Sequence, residues 1–126
     1  MPAHYYDYAV LRVVPRVERE EFLNVGVVLH CFERRFLAAA FALDERRLHA
    51  LAPDADLAEV REHLEAFARV CEGSPESGPI GRLSPKERFR WLVAPRSTIL
   101  QVSPVHAGLC DDPAAELERL MQRMVR

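Results

Sequence analysis

The sequence predicts an α+β domain: an antiparallel sheet of about four strands with helices packed mainly on one face. Three observations carry this. Strand-like and helix-like segments run in the order β-β-β-α-α-β-α instead of alternating throughout. The apolar runs Val25–Phe32 and Arg35–Ala42 are separated only by Glu33-Arg34, a gap suited to a hairpin. Two signatures with Glu three residues after a capping residue, Asp56 to Glu59 and Ser84 to Glu87, mark helix starts.

Ala3–Val14 is the first strand. Tyr6, Tyr8, Val10, Arg12 and Val14 alternate with Asp7, Ala9, Leu11 and Val13, so both faces are largely apolar and the strand is central. Pro15 ends it, lacking an N–H for the ladder. Arg16–Asn24 reads as a loop with room for one helical turn, and leads into the hairpin. Asp44 caps a short helix through Leu48 and Leu51. From Asp56 a longer helix places Leu57, Val60, Leu64, Phe67 and Cys71 on one face, with Gly73 just past its end. Residues 73–81 read as a loop. Ser84-Pro85-Lys86-Glu87 opens a helix that must stop before Pro95. Thr98–Val102 is the fourth strand and 103–111 an irregular loop. Asp112-Pro113 starts the last helix, with Leu117, Leu120, Met121 and Met124 as its apolar stripe.

At 126 residues and 14.4 kDa the chain makes one domain, residues 1–126, whose 49% hydrophobic content supplies a core. No apolar run is long enough to span a membrane, and the N-terminus lacks the basic start and apolar stretch of a secretory signal. Cys31, Cys71 and Cys110 are odd in number and far apart, which argues against a disulfide framework and for reduced, buried thiols. A cytoplasmic location is expected, with no cofactor and no metal. The net charge of −2 hides an asymmetry. Residues 82–96 hold five cations against Glu87 alone, a net +4, which leaves −6 for the remainder. That excludes a globally basic nucleic-acid binder.

Two segments carry more polar groups than their structural roles require. In Arg96-Ser97-Thr98 a guanidinium fork and two hydroxyls suit a phosphate or carboxylate. The alternative, weighted higher, is turn hydrogen bonding with Arg96 in an ordinary ion pair. Ser103 and His106 stand three residues apart, but no carboxylate orients the imidazole and no G-x-S-x-G elbow is present, so a structural histidine outweighs a nucleophile–base pair. A metal set of His106, Cys110, His30 and Cys31 would draw on the ends of different elements. Glu21 and Asn24 enter the second strand. They serve either a ligand or a turn, with Gly26 allowing close packing, and the turn is favoured. Trp91, beside Arg90, offers a stacking platform for a base. At helical spacing with Phe89 and Leu92 it also fits a core.

The run Tyr-Ala-Val-Leu-Arg-Val-Val-Pro-Arg-Val-Glu-Arg-Glu-Glu-Phe-Leu-Asn-Val-Gly-Val-Val-Leu (8–29) resembles the N-terminal signature of a bacterial family catalogued as domain of unknown function family 3037. Phe-Arg-Trp-Leu-Val-Ala-Pro-Arg-Ser-Thr-Ile-Leu-Gln-Val-Ser-Pro-Val-His-Ala-Gly-Leu (89–109) resembles its second signature. The resemblance maps Arg12, Glu21, Asn24 and Gly26 from the first run, and Arg90, Trp91, Arg96, Ser97, Ser103, His106 and Gly108 from the second. It implies a small cytosolic bacterial protein of the kind often encoded beside a HipA-like kinase, and no reaction.

Three functions follow as expectations. The first is a non-enzymatic binding or regulatory module, with a HipA-like kinase as partner. The second is an enzyme or binder of an anionic nucleotide or phosphoester, using the region of Arg96, Ser97 and His106. The third is a single-stranded nucleic-acid binder built on Trp91 and the basic stretch, ranked last because the remainder of the chain is acidic. The ligand-binding candidates are Arg12, Glu21, Asn24, Arg90, Trp91, Arg96, Ser97, Ser103 and His106.

Overall fold

The structure, a computed structural model, describes residues 3–96 and 98–126. Strand β1 (His4–Val13) lies at its centre. On one side it pairs with β2 (Leu23–Cys31), which in turn pairs with the edge strand β3 (Phe36–Phe41). On the other side, β4 (Leu100–Val102) and β5 (His106–Cys110) follow one another along β1. All pairings are antiparallel, so five segments fill the four strand positions expected from the sequence. Helices α1 (Glu45–Leu51), α2 (Leu57–Glu72) and α3 (Pro85–Leu92) lie between β3 and β4, and α4 (Pro113–Met124) follows β5.

β1 is apolar on both faces because both are covered. Ala9, Leu11 and Val13 pack with Leu48, Leu64, Phe67, Phe89 and Leu92 from α1, α2 and α3. Tyr6 packs on the opposite face with Leu117, Leu120 and Met121 from α4. Three of the four helices thus share one face, and α4 alone covers the other. No helix of the described residues is long and apolar enough to cross a membrane.

Two one-residue slips flank β1. On the β2 side Leu11 pairs with Gly26 but Arg12 pairs with Asn24, so Val25 is an extra residue. The slip swaps the facing of β2: Leu23 and Val25 join the α1–α3 layer, while Val27, Leu29 and Cys31 face α4. Gly26 has a specific reason to be glycine. A Cβ there would stand 2.5 Å from the carbonyl oxygen of Ala40 on β3. On the other side, Val102 pairs with Leu11 and His106 with Tyr8. The three residues 103–105 therefore oppose two. Ser103 N–H donates to the Val10 carbonyl at 2.8 Å, and Val10 N–H donates to Ser103 Oγ, also at 2.8 Å. The expectation of an irregular loop over 103–111 is corrected here: Pro104 interrupts the edge, but His106–Cys110 is a strand.

The helix starts follow the expected chemistry. Asp44, Asp56, Ser84 and Asp112 each accept an N–H from the first turn, a contribution of about 1 kcal/mol per cap. Only Ser84 and Glu87 complete a reciprocal capping box; Glu59 does not return the bond to Asp56. The loop expected over 73–81 is tighter than a coil, with Pro75–Arg82 forming 3₁₀ turns broken at Gly78 (φ 73°). Arg16–Asn24 does contain one 3₁₀ turn, Val17–Arg19, but β2 begins at Leu23, two residues before the expected start.

Gly26→Ala should destabilise the fold by about 1–3 kcal/mol, because the Ala40 backbone can move only by opening the β2–β3 ladder. Urea unfolding measures this. A change below about 0.5 kcal/mol would mean that β3 does not approach β2 this closely.

Candidate functional site

Helix α3 organises the surface with the most chemistry. It is eight residues long, opened by the Ser84 box. Phe89 and Leu92 point into the sheet, Lys86 and Arg90 lie outward, and Trp91 remains 40% exposed. So short a helix covers only part of its sheet face, and a cleft flanks it on each side. The first, about 290 Å³, lies between α3, α2 and β4, with Phe67, Leu92 and Val102 as apolar lining and Trp91 and Arg96 at its margin. The second, about 380 Å³, lies between α3 and the N-terminal half of β1 with the end of β2. Asp7, His30, Lys86, Phe89 and Arg90 line it.

Beyond the second cleft the sheet face is uncovered. Tyr5 pairs with Leu109 across β1 and β5, and continuing the β1–β2 register from Asp7 and His30 sets Phe32 opposite Tyr5. Tyr5, Phe32 and Leu109 are 73%, 70% and 57% exposed. Three large apolar side chains thus form one row across three strands, with exposed Val105 beside it. A contiguous apolar patch bordered by charge is a usual mark of an interaction surface.

His30 is the polar group that this cleft buries. It is 6% exposed, and its ring stacks on Phe89 with centroids 5.3 Å apart. Among the described residues its ring nitrogens have no hydrogen-bond partner, and the side chain lines the cleft. Burial pushes its pKa below the ordinary histidine value; Asp7 opposes that shift and Lys86 adds to it. The imidazole is therefore neutral at pH 7. From the sequence alone, His30 is a candidate only as a metal ligand. The signal it left was a histidine inside an apolar strand run, on the face that also holds Asp7.

The sequence-derived candidates fall into separate places. Arg96 caps α3, donating to the carbonyls of Leu92 at 3.2 Å and Ala94 at 3.4 Å and also to that of Trp91. Its guanidinium lies 4.2 Å over the Trp91 ring, and burial lowers its pKa. Arg90 lines the second cleft, on the other flank of α3. Ser103 is buried and spends its hydroxyl on Val10 N–H and the Pro104 carbonyl. His106 is exposed on β5, 5.4 Å from the Tyr8 ring on the α4 face. Arg96 and His106 thus lie on opposite faces of the sheet and do not share a cleft. Ser97 lies outside the described residues.

Arg12 and Asn24 are paired on β1 and β2, facing α4. Arg12 stacks over Phe22 at 4.2 Å, and Asn24 Nδ2 donates to the Met124 carbonyl at 3.1 Å, which ties down the end of α4. Among the described residues, Arg12 Nε and Asn24 Oδ1 are buried without a partner. Glu21 pairs with Arg19 at 2.5 Å, away from both clefts. Gly108 has a packing reason: a Cβ there would stand 2.7 Å from the Tyr6 ring, which Glu116 holds through a 2.5 Å hydrogen bond. Of the cations in 82–96, Arg88 donates to the Leu83 and Cys71 carbonyls. Among the described residues Arg82, Lys86 and Arg90 form no hydrogen bond or ion pair, so the free positive charge gathers at α3 and just before it.

The cysteines are free and buried. Burial pushes the Cys71 thiol up to about 12 and raises that of Cys110, so both stay protonated and unreactive at neutral pH. Cys31 and Cys110 face α4 while His30 faces α3, which splits the metal set considered from sequence. Among the described residues no three His, Cys, Asp or Glu gather to hold a metal.

These features define an α+β domain with helices on both faces of its sheet and one sheet end left uncovered beside a basic helix. The family model described as Protein of unknown function (DUF3037) matches residues 8–125, and the chain belongs to that family. No curated protein and no solved structure matches it significantly.

The depressed pKa of His30 predicts a pH effect with a definite sign. The unfolded chain protonates this histidine near pH 6.5 and the folded chain only below that, so stability falls as pH drops from about 6.5 through the folded value. His30→Phe should remove that component. Urea unfolding at pH 7.5 and at pH 5.5 should show the wild type losing more stability than the variant; equal losses would contradict a neutral, buried His30.

Proposed function

We propose that the protein is a non-enzymatic binding or regulatory module that docks a partner protein through α3 and the uncovered sheet end beside it. The observation that carries this reading is the row of Phe32, Tyr5 and Leu109, exposed together at the end of the sheet face that α1–α3 cover further along. Lys86 and Arg90, unpartnered among the described residues, border it and favour a partner with an acidic rim. Fully desolvated aromatic anchors ringed by charge are the usual energetic centre of an interface. The resemblance noted in the sequence supplies a candidate, a HipA-like kinase, and with it a bacterial cytoplasmic setting.

The competing readings have less support. An anion site built jointly from Arg96 and His106 would need the two on one side of the sheet. A base stacked on Trp91 would compete with Arg96, which already covers one face of the indole.

Co-expression with a HipA-like kinase followed by size-exclusion chromatography tests the proposal. A single co-eluting peak at micromolar concentration is expected. Tyr5→Ser with Phe32→Ser should split it, because both side chains are exposed and their loss leaves the core intact. Two separate peaks for the wild type, or a complex indifferent to the double substitution, would overturn the reading.

A further inference from the structure

We infer that the cleft between α3 and the ends of β1 and β2 is a small-molecule site for an aromatic anion of the nucleoside monophosphate class. This goes beyond the docking reading and does not depend on it. The cleft holds about 380 Å³, within the range of small-ligand sites. Its walls are aromatic: Phe89 stacked under His30, with Tyr5 and Phe32 at the mouth, offer surfaces for a planar ring.

The polar groups narrow the ligand further. Lys86 and Arg90 stand one helical turn apart on α3, both lining the cleft and neither engaged by another described residue. Two adjacent free cations suit a phosphate better than a neutral group. Asp7 is the one carboxylate among the described residues lining the cleft, and a carboxylate acceptor suits a ring that presents N–H donors. His30, neutral and nine-tenths buried, brings a hydrogen-bonding nitrogen for which the described residues supply no partner. A purely apolar occupant would desolvate His30 and Asp7 and return no hydrogen bond, which disfavours it. A nucleobase carrying a phosphate answers all of these at once: ring on the aromatic wall, amino or imino edge at Asp7 and His30, phosphate between Lys86 and Arg90.

The test titrates the full chain, without any partner, with AMP, GMP, CMP and UMP. It is followed by amide NMR and calorimetry, with the corresponding nucleosides and inorganic phosphate as the separated halves. At least one nucleotide should saturate and shift the amides of His30, Lys86, Phe89 and Arg90, with its nucleoside and inorganic phosphate each weaker by about tenfold or more. Lys86→Ala with Arg90→Ala, both on exposed positions, should weaken the nucleotide by about tenfold at an unchanged melting temperature. His30→Phe, which keeps the stack on Phe89 and removes the ring nitrogens, should weaken nucleotide and nucleoside alike. The inference is overturned if none of the four nucleotides saturates at millimolar concentration, if the shifts fall on another surface, or if the nucleoside binds as tightly as its nucleotide. Because no partner is present, these outcomes are separate from failure of the docking reading.

Discussion

Val10 N–H bonds the hydroxyl of Ser103 where a strand carbonyl would otherwise stand, and that exchange sets the facing of every outer-strand residue after it. Extending the β1–β4 register without the slip would turn His106, Gly108 and Cys110 toward α1–α3, and Val105, Ala107 and Leu109 toward α4. With the slip, Cys110 enters the α4 layer and Gly108 lies under the Tyr6 ring. Leu109 comes out beside Tyr5 on the uncovered face. The same choice lets Tyr6 reach Glu116, which Arg119 holds ionised below the ordinary carboxylate range, and pushes the Tyr6 pKa up to about 12 chiefly through burial.

The second constraint is the length of α3. Its start is fixed by Ser84 and Glu87, and its end by Pro95 and by Arg96, which returns to the last carbonyls. Eight residues shield Phe89 and Leu92 but do not reach the end of the sheet. The uncovered row, the clefts on either flank and the place of His30 in a cleft wall all follow from that shortfall. The chemistry on this face is therefore a consequence of where two capping interactions stop one helix.

Much of the fold was legible in the sequence because its signals are local. The alternation in β1, the hairpin at Glu33-Arg34 and the capping residues Asp44, Asp56, Ser84 and Asp112 each act within a few residues. What was not legible depends on partners distant in the chain. Pro104 and Gly108 disguise β5, since a proline and a glycine read as loop unless one knows that Ser103 bonds Val10 and that Tyr6 occupies the space above Gly108. The slip at Val25, which lets Leu23 and Val25 face α1–α3 while Val27 and Leu29 face α4, is announced by no periodicity. The site was half legible. The basic stretch did point to α3, and Arg90 lines a cleft. But Arg96 and Ser103 spend their hydrogen-bonding groups on backbone, as Asn24 does its amide donor, and the place of His30 in the cleft, unlike its candidacy as a metal ligand, is visible only through register and burial.

The uncovered row and the partition of outer-strand residues between the two faces both derive from the β1–β5 register. Nuclear Overhauser contacts in the free protein read it directly. Contacts from the Leu109 methyls to the Tyr5 ring and from the Gly108 Hα to the Tyr6 ring are expected. Contacts from the Leu109 methyls to Leu117 or Met121 of α4 instead would show the outer strand turned over, and would contradict it.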